Sequence, residues 1–262
     1  MKKLKYIVKV LLTIVLCINI MACTDDRIND VPSPQNAKLK KLDYGDDWLQ
    51  FYYDNQGRIS QIENYESDGS LYSISNYEYL DNKIVIRGEY PMNQHIDVCT
   101  LKDGLIVKSE CSYISTTSDY VSTVVTTYTY DANNRLIRLD ENTVGFPESH
   151  RVKSLIWKED NIYKEVGDSY EIIYEYTNIP SSQGITFFDD TFFDFFSDYD
   201  QLLWLANFGE YFGKHTKNLI SSVRTGDGDA SIISYTLNDD GFISVGTQTK
   251  NNDIFTLQFS WE

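Results

Sequence analysis

One short unit recurs along the sequence, and it restricts the possible folds more than any other feature. In its clearest copy, two tyrosines at alternate positions precede an aspartate, a short turn and a new alternating apolar run. Five copies, the last two of them weaker, lie at residues 51–62, 128–139, 235–243, 77–84 and 157–162. Alternate aromatic residues lie on one face of a strand, and the aspartate suits a tight turn. The unit therefore predicts a β-hairpin.

The turn of each unit carries the residue types that a hairpin needs. Gly57, Asn134 and Gly241 occupy the position where a type I turn with a bulge requires a left-handed backbone. Asparagine tolerates that conformation better than most residues with a side chain. Further alternating runs bring the expected total to about fourteen to sixteen strands. Consecutive hairpins predict a mainly β fold, an antiparallel meander that forms a strongly curved sheet or an open barrel.

One segment departs from the strand pattern. Between residues 186 and 206 the apolar residues follow helical spacing, and aspartates occupy the other face. A second turn over residues 207–212 is expected, and Gly213 marks its end. The sequence therefore predicts one amphipathic helical insertion near residues 186–212. A helix this aromatic needs a large apolar surface to cover, and the concave face of the curved sheet is the natural one.

The first 22 residues form a separate N-terminal segment. A lysine cluster precedes an apolar run over residues 10–20, which is typical of a secretory signal and short for a membrane-spanning helix. The run ends in Ala22-Cys23, which resembles the bacterial lipobox, so we expect Cys23 to be lipidated and to anchor the protein in a membrane. The alternative is an ordinary signal peptide followed by a coincidental cysteine.

Residues 23–36 are predicted to be an acidic tether, and residues 37–262 a single β-meander domain. Asp25 and Asp26 resemble the surface-export signal of Bacteroidetes lipoproteins, and a tether that merely happens to be acidic is the alternative. Two prolines make the rest of the tether stiff and extended. The expected location is the outer membrane, lipid-anchored and exposed at the cell surface, with the periplasmic face as the alternative.

The acidity of the chain narrows its possible partners. The sequence has 23 basic and 39 acidic residues, a formal net charge of −16, and loss of the four lysines in residues 1–22 makes that charge −20. Phosphate backbones require a basic surface, so nucleic acid is not an expected partner. Anionic headgroups are repelled as well, so the membrane contact is assigned to acyl chains on the cysteine. The chain is expected to be a monomer.

Cys99 and Cys111 flank the hairpin turn at Asp103-Gly104. A two-residue loop would place the two cysteines on opposite faces of the hairpin, because side chains alternate along each strand. A loop with an odd number of residues would bring both to one face. A disulfide between them and two separate thiols therefore both stay open as predictions.

The recurring unit resembles the YD repeat of Rhs-type and teneurin-like wrapped β-structures. The whole arrangement, with its lipobox, acidic tether, YD-like hairpins and late segment at residues 212–219, is similar to a family of uncharacterised Bacteroidetes lipoproteins, a domain of unknown function with a porin-like fold. This resemblance implies a fold and a place in the cell envelope, and it implies no reaction. A membrane pore is not expected, because neither face of the strand at residues 73–79 is apolar enough to meet lipid.

The sequence contains no recognised motif for catalysis or for cofactor binding. His95, His150 and His215 are far apart and lack the spacing of a metal site, so no metal and no cofactor is predicted. The acidic segments at residues 226–229 and 238–241 could bind Ca²⁺, but both lie where the hairpin pattern already demands a turn.

The surplus of aromatic residues supplies the functional hypothesis. Tyrosine and tryptophan on a sheet can stack on sugar rings, and acidic side chains can bind sugar hydroxyls. Trp48, Phe51 and Tyr53 lie beside an acidic turn and are therefore the candidate ligand-binding residues. The predicted function is that of a non-catalytic surface protein that binds a glycan or a protein. The alternatives are a carbohydrate-active hydrolase and a structural or barrel-type envelope component.

Overall fold

Sixteen strands pair in chain order in the computed structural model, which describes residues 37–183, 200–226 and 228–262. Each strand pairs antiparallel with the next, and β1 pairs with β16, so the sheet closes into a barrel. The strands are β1 Leu39–Tyr44, β2 Asp47–Tyr53, β3 Ile59–Tyr65, β4 Leu71–Leu80, β5 Lys83–Tyr90, β6 Asn93–Lys102, β7 Leu105–Ser115, β8 Val121–Tyr130, β9 Leu136–Thr143, β10 Phe146–Lys158, β11 Asn161–Val166, β12 Glu171–Pro180, β13 Asn218–Thr225, β14 Ser231–Leu237, β15 Ile243–Lys250 and β16 Asp253–Trp261. The mainly β prediction is confirmed, and the barrel is closed.

Hydrogen bonds near the two termini of the domain complete the closure. The backbone N–H of Lys38 donates to the carbonyl of Glu262, and the N–H of Glu262 donates to the carbonyl of Lys38, both at 2.9 Å. Because the barrel has no free sheet edge, no row of backbone groups is left to pair with another chain. The predicted signal, the tether and Cys23 lie outside the described residues, as does Asp227.

Antiparallel pairing places alternate turns at opposite ends of the barrel. The end that carries the repeat turns at residues 54–58, 131–135 and 238–242 is called the plug end, and the chain enters and leaves the barrel there. The other end carries the intervening turns, including residues 66–70 and 116–120, and is called the mouth end.

The repeat turns have the geometry that their residue types predict. In the β8–β9 turn, the Asp131 carboxylate accepts the backbone N–H groups of Asn133 at 2.8 Å and Arg135 at 3.0 Å, and the Nε of Arg135 at 2.7 Å. These hydrogen bonds lower the pKa of Asp131, with the backbone N–H of Arg135 as the largest cause. Asn134 adopts the left-handed conformation, with φ of 58°. Asp54 caps the β2–β3 turn in the same way.

A ring of aromatic side chains joins neighbouring strands at the plug end. Seven of the eight even-numbered strands carry, in their plug-end half, a tyrosine or tryptophan that donates a hydrogen bond to a backbone carbonyl near the start of the preceding strand, at 2.6 to 2.9 Å. The donors and carbonyls are Tyr53 to Leu39, Tyr79 to Ile59, Tyr130 to Ile106, Trp157 to Leu136, Tyr176 to Ile162, Tyr235 to Ile220 and Trp261 to Ile243. The exception is β6, which has Leu101 near its end. The alternate aromatic residues of the sequence unit therefore lock the hairpins to one another.

A helix fills the lumen at the plug end. Helix α1, Asp200–Phe208, belongs to the connection between β12 and β13, and short 3-10 turns at Ser181–Gln183 and Glu210–Phe212 lie on either side of it. Its residues 202–206 are all buried, as expected for a helix enclosed on every side. The ring of Trp204 packs edge-on against Phe51 of β2, with centroids 4.9 Å apart. The predicted helical insertion is confirmed over this part, and residues 186–199 lie outside the described residues.

The segment after the helix is fixed to the turns of the plug end. The backbone N–H of Lys214 donates to the carbonyl of Asn134 at 2.8 Å, and the Lys214 ammonium pairs with Asp160 at 2.8 Å. Gly213 lies so close to this turn that a Cβ on it would stand 2.0 Å from the carbonyl oxygen of Asn134. The left-handed turn residue therefore also supplies the carbonyl that holds the plug.

The lumen differs in polarity between its two ends. Towards the plug end, the inward residues form an apolar core with α1. Towards the mouth, several buried residues are polar, among them Ser73, Ser75, Asp97 and Ser109. The mouth half of the lumen therefore contains hydroxyl and carboxyl groups. The plug half is filled by closely packed apolar side chains.

Charged side chains occupy outward positions on the strands. Arg87 of β5 pairs with Glu78 of β4 at 3.1 Å, and Arg138 pairs with Asp140 on β9 at 2.7 Å. Such pairs suit a surface in water, because a lipid-facing strand carries apolar residues at its outward positions. Within the described residues, no helix has the length and apolar character needed to cross a bilayer.

Removal of one hydroxyl from the aromatic ring should destabilise the barrel measurably. Tyr130→Phe leaves the carbonyl of Ile106 without its donor, and we expect a loss of about 1 kcal/mol in the free energy of unfolding. The measurement is the midpoint of guanidinium unfolding. Tyr72→Phe is the matched control, because its hydroxyl has no hydrogen-bond partner among the described residues, and an equal loss in both variants would contradict the role of the ring.

A second pair of substitutions tests how the plug is held. Gly213 and Gly145 have similar positive φ angles, 81° and 85°, but only Gly213 has an atom within 4 Å of the position of a Cβ. Gly145→Ala should cost about 1 kcal/mol through backbone strain alone. Gly213→Ala should cost roughly 2 kcal/mol more, because the methyl group displaces the plug from the carbonyl of Asn134. Thermal unfolding compares the two, and similar melting temperatures would show that this contact is dispensable.

Candidate functional site

A cleft of about 630 Å³ opens at the mouth end, between β6, β7, β8 and the turn that joins β7 to β8. We call it the Tyr113 cleft. Its lining residues are His95, Cys111, Tyr113, Ser115, Ser118, Tyr120, Ser122 and Val124. Aromatic, hydroxyl and thiol groups thus share one concave surface, which is the composition of many small-molecule sites.

Strand register explains why these side chains meet. Tyr113 of β7 lies opposite His95 of β6 on one side and opposite Ser122 of β8 on the other. Directly opposed residues in an antiparallel sheet project to the same face, here the lumen. Because serine is small, the space beside the Tyr113 ring stays open. The cleft therefore results from a large residue placed between an aromatic neighbour and a small one.

A row of rings continues from the cleft along the mouth. The centroids of His95 and Tyr113 are 5.1 Å apart, and those of Tyr113 and Tyr120 are 6.2 Å apart. On the other side, His95 lies 5.1 Å from Tyr90, which lies 6.2 Å from Tyr72. Most neighbouring rings meet edge to face, a favourable arrangement for aromatic pairs. The row supplies ring faces of several orientations within one small region.

The tyrosines of the cleft differ from those of the plug end. Each tyrosine of the plug-end ring donates its hydroxyl to a backbone carbonyl. The hydroxyls of Tyr113 and Tyr120 make no hydrogen bond to any described residue, and more than half of the Tyr120 side chain is exposed. The plug-end hydroxyls are therefore used by the fold, whereas those of the cleft are available to a ligand.

His95 contributes an imidazole to the cleft wall. Burial lowers its pKa from the usual value of 6.5, so the imidazole is neutral at neutral pH. A neutral imidazole can donate through one ring nitrogen and accept through the other. His95 therefore adds a polar contact without adding a positive charge.

Exposed apolar side chains also occur at the mouth end. Met92, Val121 and Phe146, in or beside successive mouth turns, are each more than half exposed. Leu71 and Tyr72 are exposed beside the turn at residues 66–70. The mouth end thus presents apolar as well as polar side chains at the surface.

The three residues selected from the sequence do not share a surface. Trp48 stacks on Tyr65 with centroids 5.2 Å apart, and Lys41 lies over its ring. Phe51 is buried in the lumen against α1, and Tyr53 belongs to the plug-end ring. The structure does not bring them together. Side chains alternate along β2, so Trp48 projects to the face opposite that of Phe51 and Tyr53. Their role in ligand binding stays a prediction.

A local sequence signal for the Tyr113 cleft lies outside the repeat units. Residues 112–122 interleave serines with two tyrosines across a mouth turn, without the Asp and Gly positions of the repeat unit. Alternation within this run places Tyr113 and Ser115 on one face. Its pairing with His95 depends on the register between β6 and β7, which the run itself does not specify.

The two cysteines project to the same face, although the loop between them has two residues. Cys99 and Cys111 are both buried on the inner face, where Cys99 lies opposite Ser109 and Cys111 lies opposite Asp97. The loop is the two-residue turn at Asp103-Gly104, but a register shift next to Leu101 adds one residue to β7 and restores equal parity. The structure contains both cysteines as thiols without a disulfide between them.

The histidines and acidic turns show no metal-binding arrangement in the described residues. No group of three or more His, Cys, Asp or Glu side chains there could hold a metal ion. The His215 ring contacts the carbonyl of Gly209 at 2.9 Å, and His150 lies 3.7 Å from Asp140. In the β14–β15 turn, Asn238 accepts the backbone N–H groups of Asp240 and Phe242, which is the role of a turn residue.

Alkylation should distinguish the thiols from a disulfide. Burial raises the pKa of the Cys99 thiol, and the thiolate is the reactive form, so iodoacetamide should leave Cys99 largely unlabelled in the folded protein. Both Cys99 and Cys111 should be labelled fully after unfolding in guanidinium without reductant. Peptide mass spectrometry reads each residue separately. A cross-linked peptide that joins Cys99 to Cys111 would contradict this expectation.

No protein-family model matches the sequence, and no curated protein matches it. Among solved structures, the chain is similar to a porin-like protein from Bacteroides uniformis, with a TM-score of 0.61 and 15% identity, over 86% of this chain and 96% of that one. It is also similar to a porin-like protein from Bacteroides vulgatus, with a TM-score of 0.57 and 14% identity, over 86% of this chain and 98% of that one. At these identities the similarity concerns the fold alone, and the fold of this chain is that of the porin-like barrels of Bacteroides.

Proposed function

We propose that this protein is a lipid-anchored component of the cell envelope whose barrel binds a saccharide in the Tyr113 cleft without transforming it. The observation that carries the proposal is the row of aromatic rings that lines a cleft of about 630 Å³ beside serine hydroxyls. A volume of this size suits a ligand of one to a few sugar rings.

The chemistry of the cleft fits a sugar in two respects. Tyr113 and Tyr120 offer ring faces, on which the apolar C–H face of a pyranose can stack. Ser115, Ser118 and Ser122 offer hydroxyls that can both donate and accept hydrogen bonds, as sugar hydroxyls do. The cleft thus presents apolar faces and polar edges together, which is the pattern that a pyranose also presents.

The lining of the cleft favours binding over hydrolysis. A glycoside hydrolase of the usual kind needs two carboxyl groups on either side of the scissile bond. None of the eight lining residues is an aspartate or a glutamate. The hydrolase alternative would therefore need carboxylates from outside the cleft.

The envelope location rests on the N-terminal sequence and on the fold. The signal-like segment and Ala22-Cys23 predict export and acylation. The similarity to porin-like barrels from Bacteroides agrees with an envelope protein. The helix at the plug end supports a closed-ended cup over a conduit, because residues 202–206 are buried in the apolar core of the barrel.

A glycan array followed by titration calorimetry tests the proposal. Tyr113→Ala should weaken the best-bound oligosaccharide by about tenfold, the equivalent of one aromatic contact worth about 1.4 kcal/mol. Tyr163→Ala removes an exposed tyrosine from the outer face of β11 and should leave affinity unchanged. Equal losses in the two variants, or an array without any bound glycan, would overturn the proposal.

A further inference from the structure

We infer that the mouth end of the barrel docks on a lipid membrane with zwitterionic headgroups. The inference rests on the lipid anchor of the proposed function, because that anchor brings the barrel to a membrane, and it assigns the end of the barrel that touches the lipid. Three features of the molecule support it: the position of the most exposed apolar side chains, the charge of the turns beside them, and the length of chain before the barrel.

The most exposed apolar side chains lie at the mouth end. Among the described residues, seven large apolar side chains are more than half exposed, and each lies in a turn of the mouth end or within two residues of one. We call them the mouth ring: Met92, Tyr120, Val121, Val144, Phe146, Ile232 and Ile254. The exposed apolar side chains near the plug-end turns reach at most 48%, at Leu80. Single exposed apolar residues are ordinary, but their concentration at one end indicates a contact surface.

The mouth ring follows the circumference of the barrel. Its members belong to five of the eight turns of the mouth end, those that join β5 to β6, β7 to β8, β9 to β10, β13 to β14 and β15 to β16. The less exposed Leu71 and Tyr72 extend it to the turn between β3 and β4. Side chains spread around one end of a barrel fit a broad, flat surface, whereas a peptide would contact one side. A bilayer interface is such a surface, and aliphatic and aromatic side chains enter it.

The charge of these turns selects the kind of lipid. The eight turns of the mouth end contain no lysine or arginine. Their exposed acidic residues include Asp46, Glu66, Asp68, Asp119 and Asp168. Anionic headgroups are therefore repelled, and so is the equally acidic mouth of a second copy. A zwitterionic headgroup instead carries an ammonium group, which the carboxylates attract.

The chain before the barrel is long enough to let the mouth meet the membrane that holds Cys23. The chain enters the barrel at the plug end, opposite the mouth. Residues 23–36 span about 46–50 Å at full extension. The longest strand, β10, has thirteen residues and is about 44 Å long, and the tilt of strands in a barrel makes the wall shorter than that. The tether is thus longer than the barrel wall, so an anchor at Cys23 does not prevent docking at the mouth.

Docking at the mouth is compatible with saccharide binding. Tyr120 belongs both to the mouth ring and to the lining of the Tyr113 cleft. A docked mouth therefore opens the cleft towards the lipid headgroups, and a saccharide would reach it from that layer.

Quenching of tryptophan fluorescence by brominated lipids tests the inference on the acylated protein. The protein is reconstituted in phosphatidylcholine vesicles with or without bromine on the acyl chains. Met92→Trp places a reporter in the mouth ring, and Leu80→Trp places one beside a plug-end turn, where the native side chain is also exposed. Brominated lipid should remove about half of the emission added at position 92 and about a tenth of that added at position 80. Replacement of one third of the lipid by phosphatidylglycerol should reduce the quenching at position 92 about twofold.

Two double variants show whether the apolar side chains are required. Val121→Asp with Val144→Asp should lower the quenching at position 92 to the level at position 80. Ile156→Asp with Leu237→Asp, near the plug-end turns, should leave it unchanged. If either double variant does not fold, the comparison of positions 92 and 80 decides by itself.

The outcomes separate this inference from the proposed function. Equal quenching at the two positions, or stronger quenching at position 80, overturns docking at the mouth and leaves saccharide binding, which is measured in solution, in place. Protein that does not sediment with the vesicles overturns the lipid anchor and this inference together.

Discussion

The interior of a sixteen-stranded closed sheet is wider than its own inward side chains can fill, and the rest of the structure depends on this constraint. An apolar lumen of that width would be an empty cavity, and a polar lumen would be a water-filled channel. This chain satisfies the constraint differently at its two ends. At one end α1 enters the lumen and completes a packed core with Phe51. At the other end the described residues leave the Tyr113 cleft, and several buried residues there are polar.

The repeat unit serves both closure and filling. Its aspartate and left-handed residue make the turn, and its final aromatic residue joins one hairpin to the preceding strand through a carbonyl. At Asn134 the same turn also accepts the backbone N–H of Lys214. The plug is therefore held by backbone groups that the turn geometry directs inward. The repeat turns at the plug end thus determine where the connection between β12 and β13 can bind.

The hairpin turns could be predicted from the sequence because their interactions are local. The register between strands could not be predicted in this way. The Asp131 turn could be predicted because every atom in its hydrogen bonds belongs to five consecutive residues. The parity of Cys99 and Cys111 could not, because one added residue in β7 reverses it without a recognisable local signal. The Tyr113 cleft depends on the relative register of three strands. The contact of Phe51 with the plug could not be predicted locally either, because Trp204 lies more than a hundred residues later in the chain.

Tyrosines have different roles at the two ends of the barrel. The two groups differ in whether the phenol hydroxyl donates to a backbone carbonyl. The hydroxyl of Tyr130 donates its hydrogen bond to a backbone carbonyl, so that donor is not available to a ligand. Tyr113 differs, because its ring is packed against His95 but its hydroxyl makes no hydrogen bond to a described residue. The fold fixes the position of this ring and leaves its hydroxyl for a ligand. The high tyrosine content of the chain is therefore no indication of a binding surface by itself. Among the described residues, Tyr113 and Tyr120 at the mouth combine fixed ring faces with neighbouring serine hydroxyls.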